Sequence, residues 1–174
     1  IYENVVEVVR QLLECHQDKA NDLLCLSITN QRETILVFDR ETGKPIHHAI
    51  VWQCRRGSEI CAGLIAEGKS DIVQQKTGLP IDTYFSASKI KWLIENEPDV
   101  AGKLANGEAL IGTVEAYLIY RLTKGELFAS DQTNACRTLL FNIADSHWDQ
   151  ELCSIFNVPI AALPEVRESS AQFG

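Results

Sequence analysis

Leu23-Leu24-Cys25-Leu26-Ser27-Ile28 is a nearly unbroken apolar run. A strand with one wet face alternates apolar and polar residues. A continuous run of this length suits a strand covered on both faces, which requires a sheet flanked by helices. The run ends, without Gly or Pro, in Asn30, Gln31, Arg32 and Glu33, and apolar character resumes at Ile35-Leu36-Val37-Phe38. Four polar side chains between two segments that want burial need a purpose.

The rest of the chain fits the α/β class. Tyr2, Val5, Val6, Val9, Leu12 and Leu13 recur at helical spacing, so residues 3 to 17 read as an amphipathic helix. Thr34 to Asp39 and Pro45 to Trp52 flank a Gly-containing loop of hairpin length and predict an antiparallel pair. Helices follow over Arg55 to Glu67, stopped at Gly68, and over Ser70 to Lys76, ending at Thr77-Gly78. Ser86 or Ser88 can cap a helix that Pro98 stops, and a shorter helix runs to Asn106-Gly107. Ala109-Leu110-Ile111 reads as a buried strand. Thr113 then caps a helix with Val114, Leu118 and Leu122 turned inward. Leu127-Phe128 and Thr138 to Phe141 read as extended, and Asp149 to Phe156 as helical.

Composition narrows the function. A formal net charge of −8 leaves no broad basic surface, which disfavours nucleic acid and anionic membranes as partners. No apolar run is long enough for a membrane span, and a cytoplasmic protein is expected. The six cysteines form no C-x-x-C and lack His at zinc spacing, so they are expected to be buried free thiols, and no metal site is assigned. The chain starts at Ile1, has no Met and stops at Gly174, and reads as a piece of a longer protein.

Neither G-x-x-x-x-G-K-[ST] nor G-x-G-x-x-G after a strand occurs, so no nucleotide loop is assigned to this chain. Ser27, Ser86 and Ser88 lack a G-x-S-x-G context, which argues against hydrolase chemistry. Arg32-Glu33, Trp52 and Tyr84 stand out. Arg supplies fixed donors and Glu two acceptor oxygens, provided the backbone departs from extended geometry so that both side chains face one side. A polyol both donates and accepts, and its C–H flank can lie on Trp52 while the Tyr84 hydroxyl adds a hydrogen bond. Residue chemistry alone also allows Arg32-Glu33 as a surface ion pair and Trp52 as core.

Longer motifs go further. NQRET (Asn30 to Thr34), ETGKPI (Glu41 to Ile46), AIVWQCRR (Ala49 to Arg56), TGLPIDTYFSASKIKWL (Thr77 to Leu93), GTVEAYLIYRLT (Gly112 to Thr123), DQTNACRTLLFNI (Asp131 to Ile143) and LPEVRESS (Leu163 to Ser170) together resemble the FGGY carbohydrate kinase family. The resemblance runs through nearly the whole chain, in order. It implies a ribonuclease H-like, actin-like ATPase domain, with residues 1–174 as part of the first of two such domains: a mixed sheet with flanking helices and a β-hairpin. The implied reaction is ATP-dependent phosphorylation of glycerol to sn-glycerol 3-phosphate, with Mg²⁺, by a homo-oligomer when full length. By the same resemblance Arg32, Glu33, Trp52 and Tyr84 bind the substrate, which gives the polar interruption its purpose.

The resemblance places the family's phosphate loop before residue 1, and its general-base Asp and second domain after residue 174. This chain is then expected to hold no catalytic or cofactor-binding residue and to be inactive alone. Glu115-Ala116-Tyr117 and Cys136 depart from the family's usual Asp-Thr-Trp and Ser, which bears on helix capping and packing more than on the grip. Asp131, Asn134 and Arg137 read as a loop held by side-chain hydrogen bonds. The alternatives are a sibling kinase acting on a pentulose or a sugar acid, and a non-catalytic polyol-binding module.

Overall fold

A computed structural model describes all of residues 1–174 as two compact units, Ile1–Asn30 and Gln31–Gly174. The first unit holds helix α1 (Tyr2–Cys15) and a 3₁₀ turn, Gln17–Asp22. Tyr2, Val5, Val9 and Leu13 form a half-covered stripe along α1, as helical spacing requires, and none of them is buried. Arg10 pairs with Glu7 and Glu14 on the helix surface.

The strand expected at Leu23–Ile28 is absent. This segment joins no sheet, and Leu23, Leu24 and Leu26 are exposed. Apolar character makes a segment able to sit inside a sheet, but a strand exists only where another backbone pairs with it.

In the second unit the doubly covered strand is β1 (Ile35–Asp39). It pairs antiparallel with β2 (Ala109–Thr113), from Ile35 opposite Thr113 to Asp39 opposite Ala109. Ile35, Val37, Ala109 and Ile111 enter a core shared with Ile90, Leu93, Val100 and Leu104. On the opposite face the Phe38 ring lies 5.1 Å from Tyr117, 5.3 Å from Tyr120 and 5.7 Å from Phe128. Both faces are therefore filled, and Ile35 to Phe38 are buried throughout.

The expected hairpin exists in reduced form. Pro45 to Trp52 returns along the free edge of β1 but bridges it only at Ile35–Ile50 and Phe38–Pro45. In the turn, Asp39 Oδ1 accepts from the Thr42 N–H at 2.8 Å and its hydroxyl at 2.7 Å. Gly43 has φ +64°, and a Cβ there would stand 2.6 Å from Arg121 Cδ, so both conformation and space call for glycine. His48 is exposed, but His47 is partly covered and stands 3.9 Å from Glu97.

Helices α2 (Ser58–Ala66), α3 (Ser70–Thr77), α4 (Ser86–Asn96) and α5 (Pro98–Ala105) follow the predicted order. Gly78, in the left-handed conformation, closes α3, and Pro98 opens α5 at a position whose N–H has no intrahelical partner. Neither Ser86 nor Ser88 caps α4. Phe85 occupies the N-cap position, and the Ser86 hydroxyl donates instead to the Glu33 carbonyl.

Helix α6 (Val114–Leu122) starts after Thr113, but no side chain caps it: the Thr113 hydroxyl donates to Glu115 Oε1. The inward face also differs from the expected one. Leu122 is exposed, whereas Glu115 to Tyr120 are all buried, because Tyr117 and Tyr120 pack on Phe38 while the Glu115 carboxylate accepts from Ser130. Burial pushes the Glu115 carboxyl up, with the Ser130 and Thr113 hydroxyls opposing it.

Beyond α6, β3 (Ala129–Asp131) pairs parallel with β6 (Glu165–Arg167), and β4 (Phe141–Asn142) pairs antiparallel with β5 (His147–Trp148). Between them lie α7 (Gln132–Ala135), a turn covering Thr138 and Leu139, and α8 (Gln150–Ile155). Leu127-Phe128 precedes a strand rather than forming one. Parallel and antiparallel pairing both occur, distributed over three two-stranded sheets. Of the six free cysteines only Cys61 and Cys153 are buried, while Cys15 and Cys25 are exposed. No helix is long and apolar enough to cross a membrane.

Candidate functional site

The polar interruption is a turn held by its own backbone and side chains. The Glu33 N–H donates to the Gln31 carbonyl at 2.9 Å, and the Thr34 hydroxyl to Gln31 Oε1 at 2.7 Å. Arg32 has φ +65°, a conformation that non-glycine residues rarely adopt. An extended backbone would send Arg32 and Glu33 to opposite faces. The left-handed residue breaks that alternation.

The two side chains have different surroundings. Arg32 is exposed, whereas Glu33 is 1% exposed. Glu33 Oε1 accepts from Arg137 Nε at 2.9 Å. Glu33 reaches the turn after α7 through Arg137, and Arg32 acts on it by charge: burial pushes the Cys136 thiol up, and the Arg137 and Arg32 cations pull it the other way.

Trp52 and Tyr84 meet directly, with ring centroids 5.3 Å apart and an interplanar angle of 61°. The Trp52 N–H donates to the Thr34 hydroxyl at 3.3 Å, which ties this aromatic to the polar turn. Tyr84 is fixed from below. Its N–H donates to Asp82 Oδ1 at 2.7 Å, and Lys89 Nζ donates to the carbonyls of Thr83, Tyr84 and Phe85 at 2.7, 2.7 and 2.8 Å. Lys89 is fully buried. Burial brings its pKa down to about 8 against the opposing effects of Cys54, Glu33, Cys61 and Asp82.

The structure therefore gathers Glu33, Trp52 and Tyr84 with Arg32 at the rim. It also recruits Lys89 and Arg137, which sequence reasoning did not place in the site. Lys89 left a signal: helical spacing puts it on the inward face with Ser86, Ile90 and Leu93, where a lone ammonium needs acceptors. Arg137 left none, since its carboxylate partner is 104 residues away. Asp131 and Asn134 do hold their own loop, Asp131 accepting from the Asn134 N–H at 2.9 Å. Arg137 instead reaches out of it.

The arrangement offers an exposed guanidinium, a buried carboxylate with one oxygen engaged, and two aromatic faces. Those groups suit a small polyhydroxylated ligand. No group of three or more His, Cys, Asp or Glu residues is placed to hold a metal ion.

Comparison with known proteins gives the site its context. The FGGY family of carbohydrate kinases, N-terminal domain, matches residues 1–174. The chain is 51% identical over 174 residues to the glycerol kinase of Rhodopseudomonas palustris (strain BisA53), covering all of this chain and 35% of that protein. It is 48% identical, with the same coverage, to the glycerol kinase of Rhizobium meliloti (strain 1021). The chain thus spans about a third of the length of these curated relatives. A crystal structure of Plasmodium falciparum glycerol kinase with ADP is similar at a TM-score of 0.84 and 44% identity, over 87% of this chain and 30% of that one. Gluconate kinase from Lactobacillus acidophilus, at a TM-score of 0.71 and 22% identity over 86% of this chain and 30% of that one, shares the fold alone. On this evidence the chain belongs to the FGGY family of carbohydrate kinases and has the ribonuclease H-like, actin-like ATPase fold of that family.

Proposed function

We propose that the whole protein containing this chain transfers the γ-phosphoryl group of ATP to a terminal hydroxyl of glycerol, giving sn-glycerol 3-phosphate. This chain supplies half of the glycerol site through Arg32, Glu33, Trp52 and Tyr84. The observation that carries the reading is the convergence of Glu33, Trp52 and Tyr84, from three separate segments, in a chain whose relatives at about 50% identity are glycerol kinases. Arg32 donates to glycerol hydroxyls. Glu33 accepts through the oxygen that Arg137 leaves unused, and Trp52 packs on the C–H flank.

ATP and Mg²⁺ belong to the whole protein. The residues here do not fit either: the chain has no glycine-rich phosphate motif and no set of side chains placed to hold a metal, so no step through them is assigned to it. In this proposal the isolated chain turns over no ATP with glycerol.

A coupled assay on the whole protein with glycerol, a pentulose and a sugar acid tests the reading. Glycerol gives the highest kcat/KM, and Arg32→Ala raises the glycerol KM by about tenfold or more, since charge-assisted hydrogen bonds are lost. Preference for the pentulose or sugar acid would reassign the substrate. Polyol binding without phosphorylation would make the protein a binding module.

A further inference from the structure

Glu33 is a buried carboxylate, and such a group needs a cation and a hydrogen-bond donor at short range. Two cations are near it. The charge of Glu33 acts on Lys89, but the Lys89 ammonium donates its hydrogen bonds to the carbonyls of Thr83, Tyr84 and Phe85. The hydrogen bond to the carboxylate comes from Arg137, through Nε alone at 2.9 Å. The same guanidinium lies 4.9 Å from the Phe85 ring centroid and 5.9 Å from that of Tyr84.

We infer that Arg137 is a positioning residue for substrate. It holds Glu33 by one oxygen so that the other is presented to a hydroxyl, and it backs the Tyr84–Phe85 aromatic pair, whose rings are 5.4 Å apart. It touches the ligand through neither action. This inference rests on the glycerol reading of the site.

The loop that carries Arg137 does not depend on its guanidinium. Asp131 caps α7 by accepting from the Asn134 N–H, the Thr138 hydroxyl donates to the Ala135 carbonyl at 2.7 Å, and the Ala87 N–H donates to the Thr138 carbonyl at 2.9 Å. Replacing Arg137 therefore removes the constraint on Glu33 and leaves the loop anchored at both ends.

The test uses Arg137→Met, Arg137→Lys, Glu33→Gln and the Glu33→Gln/Arg137→Met double variant in the whole protein, with glycerol and ATP varied separately and Tm recorded. Arg137→Met raises the glycerol KM about tenfold or more and leaves the ATP KM within about twofold, and Arg137→Lys recovers part of the loss. In the Glu33→Gln background Arg137→Met adds less than about threefold, because it acts through Glu33. An unchanged glycerol KM, equal rises in both KM values with a fall in Tm, or additive effects overturn the inference. If Arg137→Met does not fold, Arg137→Lys carries the comparison: an intermediate glycerol KM supports the role and an unchanged one overturns it. An unmodified protein that phosphorylates no glycerol overturns the functional reading itself; one that does, with an Arg137→Met variant of unchanged KM, overturns the positioning role alone.

Discussion

Asp149 joins three elements of the second unit. Its carboxylate caps α8 by accepting from the N–H groups of Glu151 at 2.9 Å and Leu152 at 3.0 Å, and it also accepts from Lys76 of α3 and Asn142 of β4. Burial pushes the carboxyl up, but the Lys76 ammonium, the Leu152 N–H and the Asn142 amide outweigh burial and hold it below the ordinary carboxylate value. The folded-state value thus lies below the unfolded one. The stability it contributes is complete above the unfolded value and is lost as pH falls through the folded one. Asp149→Asn keeps a capping oxygen but removes the charge facing Lys76. It should cost about 1 kcal/mol at neutral pH, as a partly solvated ion pair does, and flatten the loss of stability below about pH 4. Urea denaturation at neutral and acid pH measures both, and an acid slope identical to that of the unmodified chain would remove Asp149 from the acid response. The sequence reading places Asp149 in the helix itself, whereas the helix starts at Gln150 and Asp149 caps it, as Asp before a helical pattern does. Its bond to Lys76, 73 residues earlier, was not legible, because local pattern carries no information about which distant cation arrives.

At the scale of elements, α2 and α4 meet at a glycine. A Cβ on Gly57 would stand 2.8 Å from both Cβ and Oγ of Ser88, and 3.1 Å from its carbonyl oxygen, closer than packed atoms tolerate. Gly63, inside α2, faces nothing within 4 Å. Gly57→Ala should destabilise the chain by about 1–3 kcal/mol through overpacking. Gly63→Ala should stabilise it by up to about 1 kcal/mol through helix propensity. Paired urea titrations would show the opposite signs, and two shifts of the same sign would refute the packing account. Helix order and punctuation were readable here because Gly78, Gly107 and Pro98 act on φ and on local hydrogen bonding. The roles of Ser86 and Thr113 were not. A hydroxyl able to cap can donate elsewhere, and Glu33 and Glu115 offered it an acceptor.

At the scale of the molecule, the unit Ile1–Asn30 has no buried residue in either of its helical segments, whereas Gln31–Gly174 surrounds β1 and β2 with core. Opening free energies should differ accordingly. Chymotrypsin at low dose should cleave first at Leu23, Leu24 or Leu26, all exposed, and leave a resistant fragment that extends through β1 and β2, readable by mass spectrometry. An initial cut within Ile35–Asp39 or Ala109–Thr113 would contradict this ranking.

The sequence by itself determined the α/β class, the antiparallel return of Pro45 to Trp52 beside Ile35 to Asp39 and most helix limits. Each of these follows from interactions within a few residues. Tertiary structure alone decided that β1 pairs with β2, that Leu23–Ile28 pairs with nothing, and that Arg137 meets the Glu33 carboxylate and Lys89 the Tyr84 carbonyl. The physical reason is that a strand partner or a counter-charge is specified by position in space. Apolar character and charge state what a segment needs, and only the folded path of the chain decides what meets it.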